Sequence, residues 1–310
     1  MNENSSYFSA LNESVQRLEK IKNAFVSPQF NQLSIYLQNN ALSVVKSNAV
    51  NSLINLSDNI TKIVNKTNFT PFIKIFNDTV ISIKYIQLLK EIKWPIFLIN
   101  DAFLQEQIMS ACENKIDEKA TSNIITSYFT DDVLDIMEDD WTSCSLINEQ
   151  RIPILKEAIL MHRNSYYYAS TSILMCQIYG IASDIINLAK DNGLELNDEN
   201  KNILSEQYNI DKKNIDKEKG KLIQMTAIAE KGILIWDAIA SYLKEEILCS
   251  SESQIRWETQ PLRNKICHGD QLNFGTKEHS LKAILTIDML IQLIYEINRI
   301  IELKNNDINN

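Results

Sequence analysis

Arg263 and His268 stand five residues apart in the stretch RNKICHG, in a chain of 310 residues that holds only three histidines and six arginines. A histidine with an unperturbed pKa near ~6.5 takes the proton of a ribose 2′-hydroxyl, or gives one to a leaving 5′-oxygen, close to neutral pH. An arginine offers a planar fork of donors to two phosphate oxygens as charge builds on them. The pair therefore has the parts for cutting RNA without a metal. Asn264, beside Arg263, both donates and accepts, and so can orient the phosphate or the imidazole. An ideal helix turns ~100° per residue, so side chains five apart diverge by about 140°. One copy makes a loose site, and a twofold axis beside this segment would bring two Arg/His pairs together, because an isologous interface juxtaposes the same patch from both subunits.

Other chemistries lack their motifs. The chain has no GxxxxGK[ST] or GxGxxG phosphate loop, and neither GxSxG nor HExxH, which disfavours P-loop hydrolases, dinucleotide enzymes, serine hydrolases and zincins. Five cysteines carry no CxxC spacing, so neither a zinc site nor a disulfide framework is signalled, and no cofactor or metal is expected. Cys267, next to His268, is a candidate for oxidation. The acidic run TDDVLDIMEDDW, Thr130 to Trp141, reads as a solvated helix face, because its mixed spacings contain no calcium-loop glycine. A net charge of −9 and a pI near 5.0 argue against broad coating of duplex nucleic acid, while leaving room for a local phosphate site.

The elements that must position these residues are helical. Only 6 glycines and 5 prolines interrupt the chain, apolar residues recur at spacings of three and four, and no sustained alternation brackets a hairpin. RIPILKEAILMH carries an apolar face and a proline, Pro153, suited to a first turn. SYYYASTSILMCQIYGIASDIINLAK is apolar almost all round and reads as a central buried helix. The polar stretch Asn197 to Lys221 reads as a loop or exposed insertion. A helix from about Leu222 to Leu248 follows. The last long helix presents Leu281, Ile284, Leu285, Leu290, Ile291, Ile294, Ile297 and Ile301 to a core or a dimer. His162 beside Arg163 reads as a helix-end surface pair, Tyr166 to Tyr168 as core and interface aromatics, and the tryptophans as packing residues. The organisation expected is all-α, with an N-terminal helical domain over 1–145 and a second helical bundle over 146–310. A start without a basic, apolar leader and a most apolar window broken by charges predict a cytoplasmic protein with no membrane association.

The longer phrase RNKICHGDQLNFGTKEHSLKAILTIDMLI, Arg263 to Ile291, with the upstream RIPILKEAILMHRNSYYYASTSILMCQIYGI, Arg151 to Ile181, resembles the HEPN superfamily. These are all-helical domains, many of them metal-independent ribonucleases with an Arg-x4-6-His motif. The resemblance covers about residues 146 to 304. It implies a HEPN-like bundle in which His268 is the acid/base and Arg263 the phosphate binder. It further implies a homodimer through the C-terminal domain, an RNA substrate, and a role as a toxin or abortive-infection effector answering to a phage trigger or an antitoxin. Relatives often carry Gln-x-Glu/Asp-Gly in the upstream phrase. Here Gln177-Ile178-Tyr179-Gly180 places a tyrosine at the acidic position, and Asp184, one turn on, stands where it could face the same way. Gln177 and Asp184 thus join Asn264 as expected supporting residues. His279 stands where asparagine is usual, as a cap substitution. The alternative is a catalytically inactive HEPN-like module that binds a nucleotide or RNA, or serves as a scaffold.

Overall fold

The structure is a computed structural model, and it describes residues 85–97, 102–112, 118–194, 196–207, 209–216, 220, 223–224, 234–249 and 252–308. The expectation of helices over 1–84 lies outside them. The chain divides into two compact units, Met1–Gln87 with Leu98–Asn100, and Leu88–Phe97 with Asp101–Asn310. The second carries the RNKICHG segment. The described residues are all-α, with no strand among them.

Its helices are α1 (Ala102–Cys112), α2 (Glu118–Tyr128), α3 (Asp131–Ser143), α4 (Arg151–Arg163), α5 (Tyr167–Asp191), α6 (Asp198–Gln207), α7 (Leu234–Tyr242), α8 (Gln254–Thr259), α9 (Arg263–His268) and α10 (Lys277–Ile308). The expected junction at 145/146 falls between α3 and α4, both in this unit. The two longest helices, α5 and α10, form its most extensive pairing, and α4 and α9 lie against α5. On α10 all eight apolar positions of the sequence pattern are buried. Burying one such side chain contributes about 1.5–3 kcal/mol, so this stripe anchors the bundle. Among the described residues α5 alone has the length and hydropathy of a membrane span; here it packs against α4, α9 and α10.

Polar side chains fix how these helices meet. His162 on α4 is buried, and its Nδ1 lies 2.7 Å from Ser280 Oγ on α10, which donates to Ser170 Oγ on α5 at 2.9 Å. Because the Ser280 proton is spent on Ser170, His162 must donate through Nδ1, which fixes the neutral tautomer. The expected surface histidine is therefore a core group that links three helices. Of the neighbouring tyrosines, Tyr166 and Tyr168 are exposed and outside the core, the Tyr168 ring meeting Phe274 edge to face, while the half-buried Tyr167 packs edge to face on His162.

The acidic run is a helix with Asp131, Asp132, Asp135 and Asp139 exposed, as expected, and some of its acids also make ion pairs. It forms α3, whose Asp131, Asp135 and Glu138 gather around Arg163, while Glu138 also meets Lys156. Trp141 donates to Asp288 on α10 at 2.8 Å, and Gln292 and Tyr295 bond to Asp140. The polar stretch after Gly193 folds in part as α6, with Asn197 capping it through a bond from the Asn200 N–H. Its Leu204 and Ile215 join Ile223 and Ala240 in a small core.

Candidate active site

The RNKICHG segment folds as α9, six residues long, and its ends are set by sequence. Pro261 and the extended Leu262 precede it. Gly269 closes it at φ 82°, in the left-handed region that a side chain would strain. The Gly269 N–H donates to Ile266 O at 3.1 Å and the Asp270 N–H to Lys265 O at 2.8 Å, so two of the last turn's carbonyls are satisfied.

Gln271 holds this helix to its surroundings. Its side chain is fully buried, accepts from the Leu262 N–H at 3.0 Å, and donates to Trp257 O at 2.7 Å and Gln260 O at 2.9 Å. One amide thus fastens both ends of α9 to the turn after α8. At its second residue, Asn264 donates to Leu248 O at 3.4 Å, just after a π-helical turn at Leu243–Ile247.

Arg263 is half-buried, with its Cζ 3.9 Å from the centroid of the Tyr179 ring. Stacking of this kind is worth about 0.5–2 kcal/mol. Its Nη1 donates to Asn264 Oδ1 at 3.2 Å, and its buried Nε has no partner. The other described arginines are all neutralised: Arg151 by Asp184, Arg163 by the acids of α3, Arg256 by Glu246 and Arg299 by Glu296. Among the described residues, Arg263 is the arginine with no carboxylate partner.

The histidines sort as clearly. Burial, aided by Lys277, pushes His162 down to about 4. Burial, aided by Lys282, does the same to His279. Neither carries charge at neutral pH, and neither reaches solvent. His279 is not a cap, because Thr276 Oγ1 accepts from its N–H at 3.1 Å and fills that role. His268, at the C-terminal end of α9, is exposed and is left as the one imidazole a substrate can reach.

Arg263 and His268 occupy opposite ends of α9, about 7.5 Å apart along the axis at the rise of an ideal helix. Arg263 and Cys267, four apart, both meet α5: one stacks on Tyr179 and the other lies beside Cys176, with the sulfurs 3.5 Å apart. His268 follows on another face. The α5 residues expected to support the pair are occupied elsewhere. Gln177 accepts from Arg151 Nη1 and Asp184 from Arg151 Nε, each at 2.8 Å. The Arg151 guanidinium fills the space above Gly180, where a Cβ would collide with it. Lys265 is likewise spent, on Glu252 and Asp270.

Sequence reasoning missed Gln271, which no spacing singles out, and Arg151, the partner that claims Gln177 and Asp184. Among the described residues no group of three or more His, Cys, Asp or Glu side chains is placed to hold a metal. No family model, curated protein or solved structure matches the chain.

Proposed function

We propose that this protein is a metal-independent endoribonuclease of the HEPN type, acting on cellular or phage RNA in the cytoplasm as a toxin or an abortive-infection effector. The observation that carries the reading is the contrast within residue types: among the described residues, the arginine without a carboxylate and the exposed histidine are the two of RNKICHG. An unpaired guanidinium, held flat on Tyr179, has in-plane donors to offer a phosphate diester. The imidazole at the other end of α9 removes the 2′-OH proton as that oxygen attacks phosphorus, and a second imidazole protonates the departing 5′-oxygen. The products are a 2′,3′-cyclic phosphate and a 5′-hydroxyl.

A homodimer supplies the second imidazole. Arg263 stacks on α5, and residues five apart on an ideal helix diverge by about 140°, so a site within one copy would be loose. A twofold axis beside α9 would set His268 of each copy near the other copy's Arg263. A phage-derived trigger or an antitoxin would act on the assembly.

The second reading, an inactive module that binds RNA or a nucleotide, is favoured by Tyr179 itself. The ring covers one face of Arg263 at the position where the resemblance leads one to expect an acid. Induced expression separates the two. Wild type, Arg263→Ala and His268→Ala are compared at equal soluble levels, alone and under phage challenge, with RNA ends mapped. New 2′,3′-cyclic phosphate ends in wild type only, insensitive to EDTA, support the nuclease. RNA binding without new ends under either condition supports the module.

A further inference from the structure

Cys176 on α5 and Cys267 on α9 are both exposed, and their sulfurs lie 3.5 Å apart. A disulfide needs about 2.05 Å, a change within reach of small side-chain rotations. The pairing is not an isolated coincidence of two side chains. Arg263 and Cys267 are four apart on α9, Tyr179 and Cys176 three apart on α5, so the Arg263–Tyr179 stack and the thiol contact are successive rungs between two antiparallel helices. Each rung fixes the register of the other. Ile266, between them in sequence, is buried, and Gln271 holds Leu262, the residue before the helix.

We propose that Cys176 and Cys267 are a redox modification site, closed to an intrachain disulfide by peroxide. One thiolate attacks the peroxide O–O bond, which breaks; its sulfur becomes a sulfenic acid and one water leaves. The second thiolate attacks that sulfur, the S–O bond breaks, and the departing hydroxide takes a proton to become a second water. Two thiols lose two protons and two electrons in all, and one peroxide is reduced to two waters. In a reducing compartment the dithiol is the resting form, and a bond exposed at the surface is open to reversal by thiol exchange. Closed, it fastens the last turn of α9, one residue before His268, to α5. The proposal stands apart from the RNA-cleaving reading and does not rest on it.

The full-length protein is titrated with hydrogen peroxide, alkylated, digested and mapped by mass spectrometry, beside Cys176→Ser and Cys267→Ser. The expected result is loss of two of the five alkylatable thiols and one linked peptide pair holding Cys176 and Cys267, two hydrogens lighter than the free peptides. It should run as a monomer on a non-reducing gel, reverse with dithiothreitol, and be missing from both variants. In either variant the remaining cysteine should stop at the sulfenic acid, trapped by dimedone. Alkylation of both cysteines at peroxide doses that oxidise the other thiols, cross-links only between chains, or pairing with Cys112, Cys144 or Cys249 each overturns the proposal.

Discussion

Acidification should weaken this fold through two histidines that take no part in the proposed chemistry. His162 and His279 are buried neutral at about 4, against ~6.5 in an unfolded chain. Between those values the unfolded state binds protons that the folded state refuses, so stability falls as pH drops through the unfolded value and the loss levels off below the folded one. From about pH 7 to about pH 5 each histidine removes about 2 kcal/mol, or about 4 together. Asp288 works the other way. Burial raises it to about 6, so the folded state gains a proton that the unfolded state takes up only near ~3.9, which returns about 1 kcal/mol over the same interval.

The groups around each ring explain why they do not simply charge in place. His162 has Lys277 and Arg163 near it, with Asp131 as the opposing charge. His279 sits beside Lys282, opposed by Glu278. Lys282 is itself buried, bonded to Thr259 O and paired with Glu278, so a second cation beside it has little to recommend it. The check is urea unfolding at both pH values for wild type and for His162→Asn with His279→Leu. Asparagine keeps a donor for Ser280. Leucine replaces a ring whose nitrogens face the Phe274 and Glu258 carbonyls without reaching hydrogen-bond geometry. The acid-induced loss should be about 4 kcal/mol smaller in the double variant, at unchanged m-value. Equal losses in the two proteins would refute the buried-neutral account and readmit both histidines as acid/base candidates.

The Arg263–Tyr179 stack makes a sharp comparison. Tyr179→Phe should keep the ring and retain RNA binding, whereas Tyr179→Asp supplies the carboxylate that Arg263 lacks and should weaken binding about tenfold or more, read by filter binding at fixed salt. Gln271→Ala strips partners from the Leu262 N–H and the Trp257 and Gln260 carbonyls. It should cost about 2–4 kcal/mol by denaturant unfolding and speed amide exchange in α9, while a loss confined to activity would contradict its anchoring role.

Much of this architecture was legible because burial left a period in the sequence. The α10 stripe and the apolar α5 were read from spacing, and Pro153 falls in the first turn of α4. His162 was misread even though the period marks it: Leu155, Ala158, Ile159 and His162 follow the i, i+3, i+4, i+7 pattern of a buried face, and all four are buried. The charged Arg163 beside His162 ends that stripe in a surface-like pair. Gln177, Gly180 and Asp184 also share a face, with a gap where the glycine stands, yet nothing local identifies the guanidinium of Arg151 as its occupant. Between Asn197 and Lys221 the two apolar side chains that matter, Leu204 on α6 and Ile215 beyond it, are outnumbered by polar ones, so composition concealed a small core. Gln271 left no trace, because a glutamine that makes three buried hydrogen bonds is spelled like one in water.

An arginine without a carboxylate is unexpected in a chain with 40 acidic and 31 basic residues. Leaving a buried Nε without a partner costs about 1–3 kcal/mol in principle, and placing an acid at 179 is a single substitution away. Such an acid would stabilise the resting fold and also compete with any phosphate for the same fork of donors. The tyrosine keeps the guanidinium flat and in place while leaving its in-plane donors outside any ion pair. On the proposed reading, resting stability is thereby exchanged for readiness toward an anion. Because Cys267 lies on the same face of α9 as Arg263, the rung that would lock on oxidation is the one beside this stack, one residue before the exposed His268.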